Sequence, residues 1–290
     1  MAHTYATLDD AKRFLTDEGV AWGAGSTNDQ RALELLESVS RRIDEVCRRS
    51  AFGSGFGPRI GTNRYDADGG TDLDLRDDLL TTTSVTVYAD TAHSSSTTPA
   101  ADTDYYLVNQ QGTYEPGPFR RAFLHGEGDV TAFGRGKRII EWAGVWGHQN
   151  VTRTLTATVA EALDETETVI DVSAVTELSP GMTLLLGSEQ VYVRGVTDDT
   201  TDRITVDRGV NGTTAATHLT GIAIARYVYD PRVVDTTLRV WLRRWRARDA
   251  GADGIDGGGQ VGTITPRESE DTIIRRGLGR LRLVGDVVFG

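Results

Sequence analysis

Three residues whose types could carry acid–base chemistry lie close together in the chain: Glu189, Arg208 and His218. A carboxylate can serve as a base, a guanidinium can steady an anion, and an imidazole can carry a proton near neutral pH. They fall in Ser188-Glu-Gln-Val-Tyr-Val193, Asp207-Arg-Gly-Val-Asn-Gly-Thr213 and His218-Leu-Thr-Gly221. The same residue types also suit a purely structural role. Arg208 and Glu189 can tie two strands by a charge-assisted pair, and Asn211-Gly212 suits a tight turn. The structural role is the expected one. Glu189, Arg208, Gly209, Gly212 and His218 are read as the signature of a small β module, and no residue is assigned to catalysis.

Other motifs fall short of chemistry. Gly134-Arg-Gly136-Lys137 lacks the earlier glycine of a phosphate loop and has Arg138 where Ser or Thr is required. Asp66-Ala-Asp68-Gly-Gly-Thr-Asp72-Leu-Asp74 is rich in carboxylates. Gly70 takes the fifth position, however, and no glutamate stands at the twelfth, so an acidic turn is expected rather than a Ca²⁺ loop. The five histidines show no paired metal spacing, and Cys47 falls within an apolar helical stripe. Neither a cofactor nor a metal is expected.

Composition narrows the class. The chain of 290 residues has 42 acidic and 31 basic side chains and a formal net charge of −11. That balance is wrong for a protein that wraps nucleic acid. No apolar run is long enough to cross a bilayer, no secretory signal is visible, and the single cysteine suits synthesis in a reducing cytoplasm. The charge is also segregated. Residues 60–140 are net −5 and residues 151–230 net −7, whereas residues 231–249 are net +4.

These patterns imply the following elements. Thr7-Leu-Asp-Asp10 reads as a capping box opening a short helix, and Thr27-Asn-Asp-Gln30 as another opening a long one. Leu36, Val39, Ile43 and Val46 mark the buried stripe of the second helix. Strands are expected at 84–88, 105–108 and 138–143, in a small β unit between Gly61 and Gly147. Six short β-prone runs then follow between Leu155 and Tyr227, spaced as in a sandwich or barrel. Asp230-Pro231 opens a late helix with Val234, Leu238, Trp241 and Trp245 on one face and Arg232, Arg239, Arg243 and Arg246 on the other. A weaker helix is expected after Thr265-Pro266, undermined by Gly277 and Gly279, and Leu281 to Phe289 read as an extended tail. The expected fold class is α+β: a helical bundle with a small β unit, together formed by residues 1–151 and 230–290. An all-β sandwich or barrel is inserted at 152–229.

The order of these elements resembles the head-to-tail connector, or adaptor, proteins of long-tailed phages. The resemblance is carried by the two N-terminal helices ending in Arg-Arg-Ser-Ala-Phe52 and by Leu73-Asp-Leu-Arg-Asp-Asp-Leu-Leu-Thr-Thr-Thr-Ser-Val-Thr-Val87. It continues through Asp104-Tyr-Tyr-Leu107, Ile139-Ile-Glu-Trp-Ala-Gly-Val-Trp-Gly147 and the helix at Asp230-Pro231. It covers about residues 4–150 and 230–283, and the 152–229 unit departs from the shorter family members.

The resemblance implies a structural virion protein of the neck, made in the host cytoplasm. Such proteins form a homo-oligomeric ring, typically of twelve copies, beneath the portal protein. A tail, stopper or terminator protein docks below, and double-stranded DNA passes through the lumen without specific binding. Neither enzymatic activity nor a membrane is implied. Arg232, Arg239, Arg243 and Arg246, with Leu281, Leu283, Val287 and Phe289, are then the expected subunit or portal interface. Two other classes compete. One is a β-sandwich binding module for carbohydrate or a host surface, carried on a helical base. The other is a hydrolase using Glu189 and His218 in an open cleft.

Overall fold

The computed structural model describes residues 4–22, 26–49, 55–109, 118–249 and 268–281. Residues 4–48 and 151–281 form one compact unit, and residues 49–150 form another.

The first unit begins with two helices. Helix α1 (Leu8–Asp17) opens on a complete capping box: Thr7 Oγ1 accepts the Asp10 amide, and Asp10 accepts the Thr7 amide. Helix α2 (Ser26–Val46) starts one residue before the expected box, so Thr27 already lies inside it. Its stripe of Leu36, Val39, Ile43 and Val46 is buried, and Cys47 beyond its end is buried too.

The second unit is a six-stranded antiparallel sheet. Its strands are β1 (Arg59–Asp68), β2 (Asp72–Tyr88), β3 (Ser96–Thr97), β4 (Tyr105–Asn109), β5 (Phe119–Leu124) and β6 (Arg135–Trp146). The order is β1-β6-β2-β5-β4, with β3 paired to β2. Strand β2 changes partner along its length. Asp72–Asp74 pair with β5, whereas Thr81–Val87 pair with β6. The register breaks between Asp74 and Leu79, where Arg76 adopts φ 54° and its amide donates to Asp74 Oδ1 at 2.8 Å. Trp142 and Trp146 of β6 are fully buried in this unit's core, their indole N–H groups donating to Thr82 Oγ1 and the Gly61 carbonyl.

The remaining six strands return to the first unit. They are β7 (Thr152–Thr158), β8 (Val169–Asp171), β9 (Thr183–Leu186), β10 (Glu189–Thr197), β11 (Arg203–Asp207) and β12 (Ala223–Tyr227), in the order β7-β12-β9-β10-β11-β8. The two ends of this order meet. Val159 and Val172 form an antiparallel bridge, Ala160 donates to the Asp171 carbonyl at 2.8 Å, and Ser173 donates to the Thr158 carbonyl at 2.9 Å. The sheet is therefore closed into a six-stranded barrel, which leaves no free edge between β7 and β8 at that point. Its interior holds Leu155, Ala157, Ile170, Leu184, Leu186, Val191, Val193, Ile204, Val206 and Ile224, from alternate positions of the strands.

Helix α3 (Pro231–Asp249) begins at Asp230, whose Oδ1 accepts the Arg232 amide at 2.8 Å. It packs against α1, α2 and α4 (Glu270–Leu278). Trp241 donates to the Ala32 carbonyl of α2, and Trp22, Trp241 and Trp245 stack together. Gly277, expected to weaken α4, instead allows a close approach, because a Cβ there would collide with Thr236 of α3.

The expected fold class is thus corrected. The protein is mostly β, built on two antiparallel sheets of six strands, and is not a helical bundle carrying a β insertion. The expectation missed β1 and β5 and saw only the last part of β2. These strands are rich in charged residues, and β2 is broken by its register shift. The contacts also group the helices with residues 151–229 rather than with the first sheet. The N-terminal segment shows why. Thr4 Oγ1 donates to the Gly181 carbonyl, the Leu8 amide to the Pro180 carbonyl, and the Asp9 amide to Ser179 Oγ, all beside β9.

Candidate functional site

The barrel brings Glu189, Arg208, Gly209 and His218 together. Glu189 opens β10, Arg208 follows β11, and His218 bridges to Leu163 through backbone bonds in both directions. The Glu189 carboxylate is 1% exposed and has five donors. Arg208 Nε reaches Oε1 at 2.7 Å, and Arg208 Nη2 reaches Oε2 at 2.9 Å. The Gly209 amide adds 2.9 Å to Oε1, the Ala216 amide 3.1 Å to Oε2, and His218 Nε2 2.8 Å to Oε2. Burial opposes the charge on this carboxyl. The bonds from Arg208 and His218 and the two amides outweigh burial and hold it at about 2.

Arg208 is equally committed. Its Nη1 donates to the carbonyls of Asp164 and Glu167, and its Nη2 also donates to that of Ala216. With the two bonds to Glu189, all five guanidinium N–H groups are used. Asn211 and Gly212 both have positive φ, and the Thr213 amide donates to the Val210 carbonyl at 3.1 Å, closing the tight turn. The arrangement clasps three connecting segments onto one carboxylate. Glu189 and His218 are adjacent, as a hydrolase would require, but both are buried rather than set in an open cleft.

Sequence reasoning missed a second ionic cluster, in the sheet unit. Asp78 sits at the break in β2 and is 3% exposed. Arg49, 2% exposed, donates Nη1 to Asp78 Oδ2 at 2.6 Å and lies over the Phe56 ring. His148 Nδ1 is 3.3 Å from the same oxygen, and Arg120 Nη1 is 3.7 Å from Oδ1. Burial opposes ionisation of Asp78, yet His148 and Arg49 hold its carboxyl below the usual range. The Asp77-Asp78 pair directly before Leu79-Leu80 was the available signal.

The acidic stretch Asp66 to Asp74 spans the end of β1, the connection to β2 and the start of β2. Its carboxylates accept the amides of Arg138, Gly70 and Arg76, and Asp72 pairs with Arg121 at 2.6 Å. Among the described residues, no three His, Cys, Asp or Glu side chains are grouped to hold a metal.

On α3, Arg232, Arg239 and Arg246 are about half exposed. They face Asp230 at 2.7 Å, Asp235 at 2.8 Å and Glu18 at 3.7 Å. Arg243 is less exposed, and its neighbour Arg244 grips Glu270 through two bonds. Leu281 ends a single 3-10 turn, Gly279–Leu281, while Leu283, Val287 and Phe289 lie outside the described residues. No helix among the described residues is long and apolar enough to cross a membrane.

No family model matches the chain, and neither a curated protein nor a solved structure matches it.

Proposed function

We propose that the chain is a structural subunit of a ring at the head–tail junction of a long-tailed phage. It works through contact surfaces, with the portal on one side and a tail or stopper protein on the other. The carrying observation is the cationic outer face of α3 on a chain that is otherwise acidic. The partners of Arg239 and Arg246, Asp235 and Glu18, are solvent-exposed carboxylates, whereas Asp230, the partner of Arg232, is mostly covered and caps the helix. Exposed pairs of this kind contribute about 0–1 kcal/mol, so a neighbour's carboxylates can replace them at little cost. The acidic remainder supports passage of DNA without retention, because its carboxylates outnumber its phosphate-neutralising groups.

The resemblance that first suggested this role also falls on real elements. Residues 73–87 lie within β2, and the Trp-rich stretch is β6, its direct partner. The binding-module alternative needs exposed aromatic residues on the barrel. Tyr192 is buried, and Tyr229 packs edge-on against Tyr5, so no observation favours it.

Native mass spectrometry of the purified protein, alone and with its portal, tests the proposal. Multiples of the 31.5 kDa subunit are expected, and Arg239→Glu with Arg246→Glu should abolish them while leaving the circular dichroism unchanged. A wild-type chain that stays monomeric under both conditions, or a double variant that assembles normally, rejects the reading.

A further inference from the structure

Strand register sets two arginines against each other on the barrel wall. Arg226 of β12 stands directly opposite Arg153 of β7. Like charges so placed repel each other. Arg153 has its own carboxylate, Glu177 Oε1 at 3.2 Å, and the other Glu177 oxygen accepts the Thr156 amide at 2.7 Å. Arg226 has no such relief. Its Nε is buried without a hydrogen-bond partner, and its guanidinium makes no hydrogen bond or ion pair among the described residues.

Two α1 carboxylates line the cleft beside it: Asp9 makes no bond to Arg226, and Asp10 is engaged elsewhere. Asp10 accepts from the Thr7 amide at 3.0 Å and the Thr7 hydroxyl at 2.8 Å, and it pairs with Arg13. Lys12 is held by Asp29 at 2.8 Å. The guanidinium of Arg226 therefore lines, unpartnered, a cleft of about 600 Å³ bounded also by α1, Arg13, Arg153 and Glu177. Burial and the charge of Arg153 push Arg226 below the ordinary arginine range, against the pull of Asp10 and Glu177. A half-buried cation without an acceptor is costly, and a planar fork of donors is matched by an oxyanion.

We propose that this cleft binds an oxyanion, a carboxylate or phosphate group gripped by Arg226 with Arg13 and Arg153 beside it. The inference is independent of the ring reading and stands or falls without it. Two sources share this chemistry: a free small anion, and an acidic side chain of a second copy.

Thermal unfolding in sodium phosphate and in sodium succinate, against sodium chloride of matched ionic strength, tests the first source. The wild-type Tm should rise with either anion beyond the chloride control. Arg226→Gln should not respond, and calorimetric titration with phosphate should show binding weakened at least about tenfold. In chloride the same variant should be no less stable than wild type, because it breaks no hydrogen bond and removes a repulsion. Arg226→Lys, which keeps the charge without the fork, should retain part of the response. Sedimentation at several protein concentrations tests the second source: wild-type self-association that Arg226→Gln loses supports it. Identical behaviour of wild type and Arg226→Gln towards phosphate, succinate and protein concentration overturns the proposal.

Discussion

Tyr192 of the barrel donates its hydroxyl to Glu37 of α2 at 2.9 Å, joining elements 155 positions apart in sequence. Arg194, two residues along β10, reaches the same carboxylate and holds Asp207 of β11 at 2.7 Å with its other arm. Glu37 thus adds a second tie between the barrel and the helices, beside the bonds from Thr4, Leu8 and Asp9 to residues 179–181.

Tyr192→Phe should therefore cost about 1 kcal/mol, the usual net value of one hydrogen bond. Glu37 keeps Arg194 as a partner, so no charge is stranded. Urea unfolding followed by tryptophan fluorescence provides the measurement, since Trp22, Trp241 and Trp245 all report on the helices of this unit. A cost above about 3 kcal/mol would mean that the ring packs differently from the arrangement described.

The Glu189 clasp predicts a specific acid sensitivity. Its carboxyl ionises at about 2 in the fold against an ordinary 4.5. A depressed carboxylate stabilises the fold above its unfolded pKa, and that contribution disappears as pH falls from about 4.5 to about 2. The shift corresponds to roughly 3 kcal/mol at neutral pH. Glu189→Gln should lose that amount at pH 7 and almost nothing near pH 2, read from urea midpoints across the range. A difference that stays constant with pH would show that the carboxyl is not ionised in the native barrel.

The clasp was legible in the sequence because its parts are local and chemically distinctive. An acid at a strand start, Arg-Gly after a strand, Asn-Gly in a turn and a lone histidine suit few arrangements other than a tied loop. The six barrel strands were legible as short β-prone runs separated by Asp, Gly, Ser and Thr. What sequence could not supply was non-local. Closure of the barrel rests on Val159 meeting Val172, and Arg226 opposes Arg153 only once the register between β12 and β7 is set. The helical-bundle expectation failed because helix signals are strong and contiguous, whereas β1 has only Ile60, Tyr65 and Ala67 as apolar side chains and β2 is interrupted by its own buried aspartates. Propensity registered the helices and undercounted the strands around them.

In the sheet unit, Asp78→Asn should be among the more damaging single changes. It strands Arg49, a guanidinium 2% exposed, beside His148 and Arg120 with the compensating charge gone. Breaking a buried pair from one side costs about 3–5 kcal/mol. Trp142 and Trp146 lie in this unit's core, so unfolding of the sheet can be followed through them in a background where Trp22, Trp241 and Trp245 are replaced by Phe. A loss below about 1 kcal/mol would place water or another counter-charge at Arg49.

Two barrel glycines separate backbone strain from steric contact. Gly209 has φ +56° and Gly221 has φ +84°, a region where an L-residue costs roughly 1–2 kcal/mol. Beyond that shared cost the sites differ. A Cβ at Gly221 meets nothing within 4 Å, while one at Gly209 falls 2.8 Å from the Ala215 amide nitrogen. Displacing that segment also disturbs the clasp, because both the Gly209 and Ala216 amides donate to Glu189. Gly221→Ala should then cost only the conformational amount, and Gly209→Ala should cost at least about twice as much. Gly209→Ala should in addition weaken the acid dependence assigned to Glu189, because two of the donors that hold its carboxyl ionised are moved. Urea midpoints for the two variants at pH 7 and pH 3 decide the matter: equal costs at both pH values would mean that the 208–216 loop yields freely and is not fixed by the carboxylate.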